Sequence, residues 1–168
     1  MAKQYKIGVI SDTHFHSMVE GAEFIEQLCQ HQFADVDAIL HAGDMVHPDI
    51  GLLFEHVPFY AVCGNMDFAL VDVPEQRVVE IGGYRIGLIH GWGSAVDLEQ
   101  RLLNHVMSVD LDCLVYGHSH MPVCHTVGSL LVMNPGSATD RRCAPWHSVG
   151  MLYVDKTIHG EIINIDAT

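Results

Sequence analysis

Five short apolar runs in this chain each stop at Asp, Asn or His beside a turn residue, and that repeated ending constrains the fold more than any other feature. Tyr5 to Ile10 delivers Ser11-Asp12-Thr13-His14, and Val36 to Leu40 delivers His41-Ala42-Gly43-Asp44. Phe59 to Val62 delivers Cys63-Gly64-Asn65-Met66-Asp67. Arg85 to Ile89 delivers His90-Gly91, and Cys113 to Tyr116 delivers Gly117-His118-Ser119-His120. Apolar runs this short, bounded by turn residues, read as buried strands. Val19 to Gln30 has helical spacing, with Val19, Ala22, Phe24, Ile25, Leu28 and Cys29 apolar. Pro48 to Glu55 suits a short helix with Pro in its first turn. The order β-α-β-α-β predicts parallel strands joined by helical crossovers.

The pattern then changes. Arg77 to Ile81 and Arg85 to Ile89 flank Gly82-Gly83, which predicts a hairpin. Val96 to Val106 is amphipathic enough for a helix. Val123 to Val127 and Leu130 to Met133 flank Gly128-Ser129, and Val149 to Val154 and Ile158 to Ile165 turn near Asp155-Lys156-Thr157, giving two more hairpins. No repeat, linker or low-complexity segment interrupts the 168 residues. The expected layout is an α/β (mixed α+β) fold of two packed mixed sheets with helices outside, one domain over residues 1–168.

In open α/β sheets, ligands bind beyond the carboxyl ends of the strands. Here those ends carry Asp12 and His14, Asp44, Asn65, His90, and His118 with His120. Asp12 with His14 and His118 with His120 are spaced i, i+2, so in extended backbone each pair points one way. A carboxylate and an imidazole, or two imidazoles, leaving one edge together are placed to hold a metal ion. Gly117 removes a side chain where the chain must turn close to whatever sits there. Taken singly, Gly-Asp and Gly-Asn are turns and a lone His is a satisfied polar group. Turn chemistry does not explain all five falling at the same end of successive strands.

Composition narrows the partners. Lys plus Arg number 8 against 21 Asp plus Glu, for a net charge of −13. Such a surface repels a nucleic-acid backbone and anionic lipid. Thirteen histidines is a high count, and His is the commonest side-chain metal ligand. The five cysteines (Cys29, Cys63, Cys113, Cys124 and Cys143) form no CxxC, so reduced and mostly buried thiols in a cytoplasmic protein are expected. Met1 to Lys6 runs into an apolar stretch too short for a signal peptide, and nowhere do eighteen apolar residues run together.

The motif order DxH (Asp12, His14), GD (Gly43, Asp44), GNxD (Gly64, Asn65, Asp67), HG (His90, Gly91) and GHSH (Gly117 to His120) resembles that of calcineurin-like metallophosphoesterases. With Asn134-Pro135-Gly136-Ser137 after a strand, the short chain looks like the small YfcE-like phosphodiesterase branch. The resemblance implies a four-layer sandwich and a two-metal site. Asp12, His14, Asp44 and His120 would hold one ion and Asp44, Asn65, His90 and His118 the other, with Asp44 bridging. It implies Asp44, Asn65 and Asp67 as catalytic residues and in-line attack of a bridging hydroxide on a small phosphodiester. The mixed imidazole and oxygen donors suit two divalent ions, Mn first, with Ni, Fe, Co or Zn as alternatives.

One position departs from the family pattern. Many members read GNHE or GNHD, and that His is thought to protonate the leaving group; here it is Met66, which donates no proton. Asp67, His16 or metal-bound water are the candidate substitutes. His41 is expected to be buried and hydrogen-bonded, while His16, His47, His56, His105, His125, His147 and His159 are expected at the surface or in loops. Arg141-Arg142 reads either as a solvated pair near Asp140 or as a contact to substrate phosphate. Trp92 reads as packing or as a stacking surface. The rival function is a non-catalytic interaction scaffold of the same fold, as in the retromer subunit. An exposed edge strand would allow pairing between subunits.

Overall fold

In the computed structural model, which describes residues 3–68 and 72–167, the strand endings organise two mixed sheets. In the first, β1 (Tyr5–Ile10), β2 (Ala38–His41) and β3 (Phe59–Ala61) are parallel, with Ile7 opposite Ala38 and Ile39 opposite Phe59. In the second, β4 (Gln76–Ile81) pairs antiparallel with β5 (Tyr84–Ile89), and β6 (Cys113–Tyr116) runs parallel to β5. The hairpin β7 (Val123–Val127) and β8 (Leu130–Asn134) joins through β8, which is parallel to β6. The final hairpin, β9 (Ser148–Val154) and β10 (Ile158–Asn164), returns to the first sheet, where β9 lies antiparallel to β1. The orders are β10-β9-β1-β2-β3 and β4-β5-β6-β8-β7.

The two-residue period of the strands assigns the layers. Ile7, Val9 and Leu40 from one sheet meet Ile86, Leu88, Val115 and Met133 from the other. The alternate residues Ile10 and Ile39 face outward onto Ile25 and Leu28 of α1 (Met18–Gln30). Leu114, Tyr116 and Val132 face outward onto Leu98 and Leu102 of α2 (Leu98–Val106). Strands buried on both faces account for the continuous apolar runs. Helix, sheet, sheet, helix is the expected four-layer sandwich. Each large apolar side chain buried this way contributes about 1.5–3 kcal/mol.

Two elements differ from expectation. The short helix expected over Pro48 to Glu55 is a 3-10 turn confined to Ile50–Phe54, where Asp49 gives no side-chain cap. The second helix starts at Leu98 rather than Val96, since Asp97 before it is left-handed (φ 56°). The Gly82-Gly83 turn takes positive φ at both residues, as a two-residue hairpin requires. Cys113 is buried, Cys29, Cys63 and Cys124 are half-buried and Cys143 is exposed, so the thiols are less buried than expected. No helix among the described residues is long and apolar enough to cross a membrane.

Candidate metal centre

β1, β2 and β3 end at one edge, and so do β5 and β6 of the facing sheet. A bond across the sheets locks the two edges together: His90 Nδ1 donates to the Ala42 carbonyl at 2.7 Å. At this edge the side chains of Asp12, His14, Asp44, Asn65, His90, His118 and His120 converge. Asp12, His14 and His120 offer donor atoms that all lie within 4.8 Å of one another, and so do Asp12, Asp44 and His90. Asp12 is common to both groups, and Asp44, the expected shared carboxylate, falls in the second. Asp44 Oδ2 still reaches both sides, at 3.4 Å from His90 Nε2 and 3.8 Å from His14 Nε2.

The i, i+2 pairs converge by a different route from the extended-backbone argument. Asp12, His14, Asp44, His118 and His120 all have left-handed backbone, with φ of 52°, 46°, 57°, 70° and 57°. They lie past the strand ends, where the chain turns across the facing sheet. Such backbone costs about 1–3 kcal/mol per residue and persists where surrounding bonds over-determine it. Those bonds are present: Asp12 N–H donates to Gly43 O and His14 N–H to Asp44 O, each at 2.9 Å. Asp and His are among the residues that tolerate this region best, so the types that ligate also fit the turn. His118 and His120 therefore separate, His118 toward Asn65 and His90, His120 toward Asp12 and His14.

Close approach explains two glycines. A Cβ on Gly117 would sit 2.0 Å from Ser11 Oγ and 2.7 Å from Asp12 Oδ2. A Cβ on Gly64 would sit 2.1 Å from Asp44 Oδ1.

An inventory of protons shows what the cluster is built to hold. His90 spends its Nδ1 proton on Ala42, His118 its Nε2 proton on the Gly93 carbonyl at 2.7 Å, and His120 its Nδ1 proton on the Asp140 carbonyl. Each ring then turns a bare nitrogen inward. Those nitrogens face other acceptors: His118 Nδ1 and His90 Nε2 lie 2.9 and 3.1 Å from Asn65 Oδ1. Asp12 Oδ2 is taken by Ser11 Oγ and His118 N–H, and Asp44 Oδ1 by Met66 N–H. Asp12 Oδ1 is fully buried and receives no hydrogen bond, although His120, His90 and His14 Nε2 lie 3.2, 3.8 and 4.0 Å away. Converging lone pairs without protons, around a buried orphan carboxylate oxygen, fit divalent cations.

The carboxylates suit a cation, while two of the imidazoles are also drawn toward a proton in its place. Burial pushes the Asp12 carboxyl up, but His120, His90 and Ser11 outweigh it and hold it below the usual range. Burial likewise raises Asp44, and His90, the Met66 amide and His14 bring it below normal. His90 and His120 are lowered by burial and raised further by the carboxylates, for a net upward shift. Burial depresses His14.

Asp67 is placed differently from the other site residues. Its Oδ2 accepts from the Gly64 and Asp44 amides, each at 2.8 Å, and its Oδ1 from the Val46 amide at 2.7 Å. Both oxygens are thus spent on backbone, and burial pushes the carboxyl up. His16 is exposed and its N–H donates to Glu20. The Met66 side chain is 42% exposed. His41 is buried as expected, bonded to Thr13 Oγ1 and to the Gly43 N–H, and desolvation lowers it to about 3. The other seven histidines lie exposed or half-exposed, with His105 on α2, His125 on β7 and His159 on β10. Arg142 pairs with Asp140 at 3.4 Å, the solvated arrangement. Trp92 packs edge-to-face on His105 and stays 44% exposed.

Sequence reasoning missed the supports. Asn134 Nδ2 donates to the Gly117 carbonyl and to Ser119 Oγ, both at 3.0 Å. Ser137 Oγ donates to the Asp12 carbonyl and Thr139 Oγ1 to that of Thr13. The Asn-Pro-Gly-Ser turn was visible as a turn; its grip on both site loops was not.

The model of the calcineurin-like phosphoesterase superfamily domain matches residues 5–157. The chain belongs to the calcineurin-like phosphoesterases. A probable metallophosphoesterase of Methanothermobacter thermautotrophicus is 37% identical over 164 residues, 96% of this chain and 93% of that one. A phosphodiesterase of Methanocaldococcus jannaschii is 27% identical, over 94% of this chain and 98% of its own. Among solved structures, a conserved Streptococcus pneumoniae protein described as a predicted phosphoesterase superposes with a TM-score of 0.80 at 26% identity, covering 99% of this chain and 92% of that one. Zinc-complexed Vps29 of Entamoeba histolytica shares the fold, with a TM-score of 0.69 at 23% identity over 95% and 98% of the two chains. Membership in this calcineurin-like family supports hydrolase activity, and the carboxylate and imidazole cluster supplies its candidate metal-binding residues.

Proposed function

We propose that this phosphoesterase hydrolyses small phosphodiesters at a two-metal site. Asp12, His14, Asp44 and His120 hold one divalent cation and Asp44, Asn65, His90 and His118 the other, with Mn the first candidate and Ni, Fe, Co or Zn alternatives. The observation that carries this reading is the buried Asp12 Oδ1, which no donor satisfies and which three imidazole nitrogens face. Two such cations, when bound, activate a water as nucleophile and neutralise charge developing on the phosphoryl oxygens.

The chain's own residues set the stage for that chemistry. Carbonyls of Ala42, Gly93 and Asp140 keep three rings in the tautomer that ligates. Asp12 and Asp44, held below the usual carboxylate range, stay ionised at neutral pH. Asp67 acts on position rather than on protons, since both oxygens are engaged by amides. Neither Met66 nor Asp67 then offers a proton to the leaving group, so esters of acidic alcohols and phenols are the better substrates. The M. jannaschii relative, by its name a phosphodiesterase, supports the diester over the monoester. The net charge of −13 weighs against polyanionic substrates.

The test is hydrolysis of bis-p-nitrophenyl phosphate by chelator-stripped protein with and without added Mn²⁺. Turnover restored by metal at a stoichiometry near two supports the diesterase. Uptake of two metals with no turnover under Mn, Ni, Co or Zn overturns it and leaves the scaffold reading.

A further inference from the structure

Two cavities adjoin the candidate metal centre, and one loop separates them. The smaller, about 390 Å³, lies on the Asn65 and His90 side and takes Gly91, Trp92 and His105 into its wall. The larger, about 850 Å³, lies on the His118 and Ser119 side, with Gly93, Ala95 and Met121 in its wall. Both volumes fall in the range of roughly 300–1,000 Å³ that holds a small-molecule group. The segment from Gly91 to Val96 that follows β5 therefore presents Trp92 to one cavity and Gly93 with Ala95 to the other.

This partition is fixed at several points. Arg101 on α2 donates to the Trp92 carbonyl at 2.8 Å and to the carbonyls of Ser94 and Val96. His118 holds the Gly93 carbonyl at 2.7 Å from the metal-centre side. Between the cavities, Asn65 and His90 in the smaller wall are joined to His118 in the larger at 2.9 and 3.1 Å through Asn65 Oδ1. Each cavity also bears one large apolar side chain left open to solvent: Trp92 at 44% and Met121 at 41%.

We propose that the two cavities receive the two ester arms of an asymmetric phosphodiester whose phosphorus sits at the Asn65–His118 edge. This rests on the phosphodiesterase reading above. A monoester would fill one cavity and leave the other to water, whereas the arms of a diester diverge from phosphorus in two directions. The smaller cavity takes a flat aromatic or heteroaromatic arm against Trp92, whose indole is held edge-on to His105 at 5.2 Å between centroids. The larger takes a bulkier neutral arm with hydroxyls. Asp97, which makes no side-chain cap bond to α2, and Glu99, bound by Tyr116 and His125, line it with negative charge; Arg142 in the same wall is paired with Asp140 at 3.4 Å, so the balance disfavours an arm carrying further phosphates.

Binding can be read in the metal-loaded protein from the initial quenching, before turnover accumulates. The chain has two tryptophans, and Trp146 lines neither cavity. In a Trp146→Phe protein, nitrophenyl quenching of Trp92 is titrated with methyl p-nitrophenyl phosphate and with thymidine 5′-(p-nitrophenyl) phosphate. Both are expected to saturate, the thymidine ester at least five-fold tighter because it also fills the larger cleft. Adding Ala95→Phe, which occupies that cleft, brings the ratio to about one. Trp92→Phe with Trp146 in place shows no saturable quenching. Quenching that does not saturate, or a ratio that survives Ala95→Phe, overturns the two-arm assignment. Because quenching is read apart from turnover, that result stays separate from a failure of the phosphodiesterase reading itself, in which binding saturates and no ester is cleaved.

Discussion

Asp67→Asn separates a positioning role from an acid role. The carboxylate takes three amide hydrogen bonds, from Gly64, Asp44 and Val46, at 2.7–2.8 Å. An Asn carries one acceptor oxygen. Placed at the Oδ2 position, it keeps the Gly64 and Asp44 bonds, now neutral and about half as strong. Its NH₂ then faces the Val46 N–H, which loses its acceptor. A hydrogen bond to a charged group is worth about 1.5–3 kcal/mol, and an unsatisfied buried donor costs about 1–3 kcal/mol. Removing the charge relieves the burial that pushes the Asp67 carboxyl up, so the two effects partly cancel. The expected net loss is about 2 kcal/mol, a fall in Tm of roughly 4–8 °C for a chain this size.

The sharper consequence is at the metal centre. Asp44 and the Gly64-Asn65 turn both hang on this carboxylate, and loss of a comparable support lowers metal affinity about 10–100-fold. Metal titration of the apoprotein, followed by kcat at saturating metal, is the assay. Weak metal binding with kcat restored within a few-fold at saturation, and unchanged dependence on leaving-group pKa, is the expected result. A kcat that stays low at saturating metal and falls further for poor leaving groups would refute the reasoning and return Asp67 to the role of acid.

Three further outcomes follow from the same geometry. Met66→His puts a proton donor on a backbone already fixed by the Met66 N–H to Asp44 Oδ1 bond at 2.7 Å, and should flatten the dependence of kcat on leaving-group pKa across substituted phenyl esters; an unchanged slope counts against Met66 as the cause of that dependence. Gly117→Ala drives a Cβ to 2.7 Å from Asp12 Oδ2 and 3.1 Å from the Ala42 carbonyl, and should cost about 1–3 kcal/mol in thermal unfolding while abolishing stoichiometric metal uptake. His41, lowered by burial to about 3 from an unfolded value near 6.5, is protonated first in the unfolded chain. Its contribution is therefore complete above about pH 6.5 and lost as pH falls, by up to about 1.4 kcal/mol per unit, so urea melts of apoprotein between pH 6.5 and 4 should show a shallower pH slope for His41→Gln than for the parent chain.

How much of this was legible beforehand varies by physical type. Strands such as β2 and β6 were readable because burial on both faces writes an unbroken apolar run, and the three hairpins because Gly82-Gly83, Gly128-Ser129 and Asp155 to Thr157 mark their turns. The 3-10 turn at Ile50 was not, since apolar spacing over eight residues does not distinguish a capped α-helix from a tighter, uncapped turn. The seven converging side chains were found from strand ends alone, although the extended-backbone reason given for DxH and HxH does not hold for residues with φ near 50–70°. The same residue types that ligate also tolerate left-handed backbone, so the motif survived a wrong account of its geometry.

What stayed hidden is the part that turns seven polar side chains into a cation site. The protons of His90, His118 and His120 leave through the carbonyls of Ala42, Gly93 and Asp140, and a carbonyl has no residue identity for a motif to capture. Any amino acid at those three positions offers the same acceptor. The requirement falls instead on the loops that aim them. Gly93 is aimed by Arg101 gripping the carbonyls on either side of it, and Asp140 by Ser137, whose oxygen accepts the Asp140 N–H at 2.9 Å while its proton goes to the Asp12 carbonyl. A side chain in each neighbouring loop thus fixes a carbonyl, the carbonyl fixes a tautomer, and the tautomer decides which nitrogen faces the buried Asp12 Oδ1. Changing Arg101 or Ser137 should therefore reach the metal centre without touching a ligand, which is why neither residue announces itself in the sequence.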